Sequence, residues 1–186
     1  TVNFTFKHAL SRIGFGVKLA NSTDFDDATT IDFSKITLSA DFYPSATLTL
    51  DLDGNNVQWD DEAAPTNVTY TLNKTTDIIA NITSLSTTDI APINNESSYL
   101  MVLPQNFTAS GEEMSITANF SLSTTDAKLD EEKFTANYSF TGDVALNLEA
   151  GMAYTIVLVL GKTSTGGESI LTPVEFSVAP VTAWDE

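Results

Sequence analysis

Cysteine is absent from the 186 residues, which removes disulfides, thiolate nucleophiles and cysteine-ligated zinc sites together. Basic side chains are scarce: 8 Lys and Arg stand against 25 Asp and Glu, a formal net charge of −17. A surface of that sign repels phosphate backbones and anionic lipid headgroups, so it argues against nucleic acid or a bare membrane as partner. Histidine occurs once, at His8, and tryptophan twice, at Trp59 and Trp184. Long apolar runs are missing too. AYTIVLVL at 153–160 falls far short of the ~20 residues of a membrane helix. No leader-like run follows Thr1, so the sequence is expected to be a mature or excised piece.

What is present leans towards β structure. Hydrophobic residues make up 42% and charged residues only 18%, enough apolar material for a core and too little charge for a disordered chain. The main signal is period-two alternation. It runs through Val2, Phe4 and Phe6, then Ile13, Phe15, Val17 and Leu19, then Ile36, Leu38, Ala40 and Phe42. Leu48, Leu50 and Leu52 continue it, as do Val68, Tyr70 and Leu72. The second half repeats the style at Ile116–Leu122, Phe134–Phe140 and Val144–Leu148, and closes with Val174, Phe176 and Val178. Residues 154–160 are apolar on both faces, as in a central strand covered on both sides. Turn-rich segments such as DLDGNN, INNES, TASGEE and TSTGG separate the runs. Only TTDAKLDEEKF has room for a turn or two of helix. Short strands at roughly ten-residue spacing predict one all-β sandwich over residues 1–186, two-sheeted and mostly antiparallel.

Each candidate for chemistry has a plainer alternative. His8 would need a nucleophile and an orienting carboxylate beside it, and Ser11 lacks a nucleophile-elbow pattern, so His8 is expected to be a structural residue. Asp51-Leu52-Asp53-Gly54-Asn55, with Glu62 beyond, resembles an oxygen-ligand calcium loop. Asn56, however, stands where the loop glycine belongs, and Gly-Asn-Asn between Leu50 and Val57 suits a β-hairpin better. Among 25 acids some pair always falls at a glycosidase-like separation, so clusters such as Asp24-Asp26-Asp27 and Asp130-Glu131-Glu132 read as solvated loops. Sequons begin at Asn3, Asn67, Asn73, Asn81, Asn106, Asn119 and Asn137, several of them alternating with aromatic residues, which suits solvent-facing strand positions. No catalytic residue, metal site or cofactor is expected.

Four short motifs follow one another along the chain. Phe6, His8, Leu10 and Ser11 form F-x-H-x-L-S, and Tyr99 to Pro104 form a Y-x-x-x-L-P strand. Leu148, Ala150, Gly151 and Tyr154 form L-x-A-G-x-x-Y ahead of the most apolar run, and Val181 and Trp184 end the chain as V-x-x-W. In this order and spacing the sequence resembles the fimbrillin family, the type V pilins and related surface lipoproteins of gram-negative gut and oral anaerobes. The resemblance implies a transthyretin-like sandwich equivalent to a fimbrillin C-terminal domain. By the resemblance, the family's N-terminal domain and lipoprotein signal are expected to lie outside this sequence. It further implies a non-enzymatic pilin subunit or fimbrial tip or anchor component at the cell surface or outer membrane, held to the membrane only through a lipid anchor outside this chain. Its partners would be other pilin subunits or surface ligands.

The implied assembly is strand exchange, in which a strand of one subunit fills a groove of the next. TPVEFSVAPVTAWDE has the form for it: Val174, Phe176 and Val178 would face a groove, with Val181 and Trp184 beyond, while Glu175 and Ser177 face out and Pro180 ends or bends the pairing. The same alternation suits an intramolecular final strand equally well. The rival reading of the whole chain is a carbohydrate-binding β-sandwich module, which needs Trp59 and Trp184 exposed on one concave face. A hydrolase built on an acidic pair is a third.

Overall fold

The computed structural model describes residues 8–21, 29–50, 57–60, 62–79, 81–126, 132–165, 168–179 and 182–183. Along the chain run β1 (Ser11–Leu19), β2 (Thr29–Phe42), β3 (Thr47–Leu50), β4 (Val57–Asp60) and β5 (Thr66–Asn73). Short strands follow: β6 (Ala91–Pro92), β7 (Leu100–Val102) and β8 (Gln105–Asn106). The long β9 (Met114–Asp126) and β10 (Glu132–Val144) precede β11 (Asn147–Leu148), β12 (Met152–Thr165), β13 (Glu168–Val178) and β14 (Thr182–Ala183). No helix occurs among the described residues. The TTDAKLDEEKF stretch instead supplies the end of β9 and the start of β10, with residues 127–131 outside the described residues.

Two sheets enclose one core. The first has the order β13-β12-β1-β6, with β7 also on β1 and β14 also on β12; the second has the order β10-β9-β2-β5. All strand pairs are antiparallel except β1 with β12, which run parallel from Arg12↔Ala153 to Leu19↔Leu160. The alternation read from sequence accounts for the core. Ile13, Phe15, Val17 and Leu19 of β1, Ile36, Leu38 and Phe42 of β2, and Ile116, Ala118 and Phe120 of β9 all point into one buried cluster with Ile156, Leu158 and Leu160 of β12. Phe120 links the rings of Phe33 and Tyr138 at centroid distances of 5.3 and 5.5 Å. On β12 the opposite face is buried as well, at Val157 and Val159, as the doubly apolar run predicts.

The outer face of the second sheet carries Ser, Thr and Asn at the alternate positions. Thr117 and Thr141 hydroxyls pair at 2.8 Å, Ser123 and Thr135 at 2.9 Å, and Ser39 pairs with Thr69. Asn67, Asn73 and Asn137 occupy exposed strand positions, and Asn119 is half-buried, which agrees with sequon asparagines decorating solvent-facing positions. A register shift between Phe33 and Lys35 bulges β2 at Ser34, whose hydroxyl donates to the Asn119 carbonyl at 3.1 Å.

β3 and β4 pair as a hairpin separate from both sheets, from Leu50↔Val57 to Thr47↔Asp60, as the turn chemistry predicts. The turn itself, residues 51–56, lies outside the described residues, as do Val2, Phe4 and Phe6.

Candidate functional site

Two places organise the molecule: a knot of sequence motifs where β1 begins, and the edge strand β13. At the first, the parallel pairing of β1 with β12 brings residues 8–11 against residues 149–154. Ser11 is fully buried, and its hydroxyl donates to the Glu149 carbonyl at 2.8 Å. The Glu149 amide donates in turn to the Tyr154 hydroxyl at 2.7 Å, and the Gly151 amide donates to the Leu10 carbonyl at 3.0 Å. Burial raises the Tyr154 phenol above its ordinary pKa, and the nearby Glu149 carboxylate pushes the same way, against the backbone hydrogen bond.

Gly151 is required here for two reasons. Its φ of 73° lies in the left-handed region, and a Cβ on it would stand 3.1 Å from the His8 carbonyl oxygen. His8 therefore sits where the segment entering β1 crosses the turn into β12, with its carbonyl oxygen against Gly151. The Y-x-x-x-L-P motif closes over the same strand. The Tyr99 ring lies 3.8 Å from the Arg12 guanidinium carbon, and it packs so close that a Cβ on Gly14 would come within 2.6 Å of it. Asn94, 3% exposed, fastens the crossing segment. Its carbonyl oxygen accepts from the Phe15 amide, and its amide donates to the Ser98 carbonyl at 2.5 Å.

The second place is the edge of the first sheet. β13 pairs antiparallel with β12, Phe176 opposite Leu158 and Val178 opposite Ile156, and no strand covers its other side among the described residues. Beyond Val178 the chain keeps to the same edge: the Ala179 amide donates to the Thr155 carbonyl at 2.9 Å, and β14 pairs with Met152 and Ala153. Pro180, Val181 and Trp184 lie outside the described residues.

Phe176 and Val178 are half-buried and packed on the core, Glu175 is exposed as expected, and Ser177, expected to face out, is half-buried as well. Phe176 reaches across the sandwich to Phe140 of β10, with ring centroids 5.3 Å apart, and also touches Gly142. Val159 pairs with Glu175 and Leu160 with Pro173, so Val174 is the extra residue of a bulge. Proline suits that position because an edge strand has one row of backbone groups with no ladder to complete.

Of the two tryptophans that a saccharide platform would need, only Trp59 lies among the described residues. Trp59 is half-buried on β4, and its indole N–H donates to the Ala9 carbonyl at 2.8 Å, tying the hairpin to the entry of β1.

The fimbrillin-like family matches residues 1–180. The chain belongs to that family. The matched residues include the F-x-H-x-L-S, Y-x-x-x-L-P and L-x-A-G-x-x-Y motifs, which meet here at the start of β1. No curated protein matches the sequence. Among solved structures, a fimbrial protein of Bacteroides vulgatus ATCC 8482 superimposes with a TM-score of 0.58 at 13% identity, over 96% of this chain and 55% of its own. That likeness concerns the fold, and the all-β fimbrillin architecture is common to both. A structure from Bacteroides fragilis NCTC 9343, described as a cell adhesion protein, matches at 16% identity over 97% of this chain and 47% of its own. Its TM-score of 0.41 is too low to argue from. The chain spans about half the length of each of these two.

Proposed function

We propose that this fimbrillin-like chain is a non-enzymatic fimbrial component of the cell surface, a pilin subunit or a tip or anchor element. It assembles by β-strand exchange and supports adhesion. In this reading it is the counterpart of a fimbrillin C-terminal domain of transthyretin-like type, exported to the outer surface, with other subunits as its partners.

The observation that carries the proposal is the edge position of residues 168–183. Among the described residues β13 and β14 pair with one neighbour, β12, with Phe176 opposite Leu158 and Val178 opposite Ile156. A strand held on one side can leave without breaking any other strand pairing. The groove it vacates offers a row of backbone donors and acceptors and an apolar floor, which an identical strand from another copy fills with the same contacts. Val174, Phe176, Val178, Val181 and Trp184 are the proposed exchange residues.

The test is deletion of residues 170–186 in the cell that makes the protein, with surface fibres measured by electron microscopy. Loss or severe shortening of fibres, with the truncated protein still exported, is the expected result. Fibres of normal length and number would defeat the exchange mechanism.

A further inference from the structure

A cleft of about 450 Å³ opens beside the paired strands β8 and β11, where Gln105 stands opposite Leu148. It lies where the end of β2 meets the start of β5, β8 and the turn before β9, and its size is that of a small-ligand site. The buried Phe107 ring, set edge-on to Phe42 at 5.1 Å, is part of its wall. Tyr43 stands half-buried at its rim. The polar groups around it are held in place. The Gln105 side chain accepts from the Tyr43 amide at 3.1 Å and donates to the Asp41 carbonyl at 2.6 Å. The Asn67 amide donates to the Asp41 carboxylate at 3.2 Å, and Glu113 accepts from the Gly111 amide at 2.7 Å. Asn106 accepts from the Thr108 amide at 2.9 Å through its side-chain carbonyl, which leaves its own NH₂ as a donor at the cleft.

We propose that this cleft is a binding site for a neutral saccharide. The proposal rests on the adhesion reading and supplies its ligand class. No lysine, arginine or histidine lines the cleft, while Asp41, Glu112 and Glu113 do, so phosphate, sulfate and sialylated ligands are repelled. A metal ion needs converging carboxylates, and among the described residues no three acidic groups gather closely enough to hold one. Two of the three carboxylates already accept a donor of the chain itself, which blunts their pull on a cationic peptide. What remains is a fixed mixture of amide donors and oxygen acceptors beside the aromatic rings of Tyr43 and Phe107. Hydroxyl groups, which both donate and accept, match that mixture, and the apolar face of a sugar ring matches Tyr43. Side chains already locked by hydrogen bonds lose little freedom on binding.

The test is an amide-resolved NMR titration of the monomeric ¹⁵N-labelled chain. The probes are methyl glycosides of galactose, N-acetylglucosamine, mannose and fucose, with an oligolysine peptide and calcium chloride run in parallel. The expected result is that at least one glycoside shifts the amides of Tyr43, Gln105, Asn106 and Gly111 as a cluster. Tyr43→Ala weakens that binding by about tenfold, as loss of an aromatic contact does. Asn67→Ala on the exposed rim gives a second reading should Tyr43→Ala unfold. The proposal is overturned if no glycoside shifts this cluster, if both variants bind as the wild type does, or if only oligolysine or calcium perturbs the cleft. Because the titration uses monomers, its failure is distinguishable from a failure of strand exchange, which the fibre assay reads.

Discussion

At the residue scale, three of the sequence motifs interlock through side-chain and backbone contacts: the Ser11 and Tyr154 hydroxyls, the Tyr99 ring and the Gly151 amide. The lone histidine marks the place where they cross, and Gly151 exists to let its carbonyl approach. Tyr154 gives this arrangement a measurable signature. Tyr154→Phe leaves the Glu149 amide without its acceptor, at a cost of about 1 kcal/mol at neutral pH.

The variant also changes the alkaline limb. The folded phenol has its pKa raised by burial, so the folded state keeps this proton where the unfolded chain, titrating near 10, has lost it. The stability from a neutral Tyr154 is therefore complete below about pH 10 and lost as pH rises through the higher folded value. Urea unfolding from about pH 8 to pH 11 should show a steeper fall for the wild type than for Tyr154→Phe. Parallel curves would contradict this role. Sequence alone displayed the motif residues but not their meeting, because Ser11 and Glu149 are 138 residues apart and no local pattern encodes that hydrogen bond.

At the element scale, alternation was a sufficient guide to the long strands. β1, β2, β5 and β9 bury or half-bury the residues that the period-two pattern selects, β12 is buried on both faces, and β10 half-buries Tyr138 and Phe140 but leaves Ala136 exposed. The two-residue strands β6, β8, β11 and β14 carry no such pattern, since two positions cannot show a period. The parallel β1–β12 ladder was equally hidden: apolar strands do not state their neighbours, and that pairing depends on the whole topology. The Tyr43–Gln105 cleft escaped for the same reason, as its polar residues come from four separate segments.

β13 has a specific weakness that an experiment can expose. Phe176 supplies its aromatic contact with β10, so Phe176→Ala should cost about 2 kcal/mol, less than truncation of a fully buried phenylalanine. Hydrogen exchange should rise along β13 and at the Thr155 and Val157 amides of β12, while β2 and β9 keep their protection. A uniform rise across both sheets would mean that β13 does not open as a separate unit.

At the scale of the whole molecule, a −17 chain without cysteine has no disulfide to hold it and depends on apolar burial, strand pairing and side-chain contacts for its stability. The central claim is that assembly moves β13 from its own β12 to that of another subunit, and the absence of native thiols makes a direct test clean. Val157 and Ser177 are cross-strand partners, at a spacing that antiparallel pairs and disulfides share. In the double variant Val157→Cys/Ser177→Cys, oxidation fastens β13 to its own sheet, and fibre growth followed by light scattering and electron microscopy should stop. Reduction of the same sample should restore it. Fibres that grow at the wild-type rate from fully oxidised, monomer-locked protein would contradict the account.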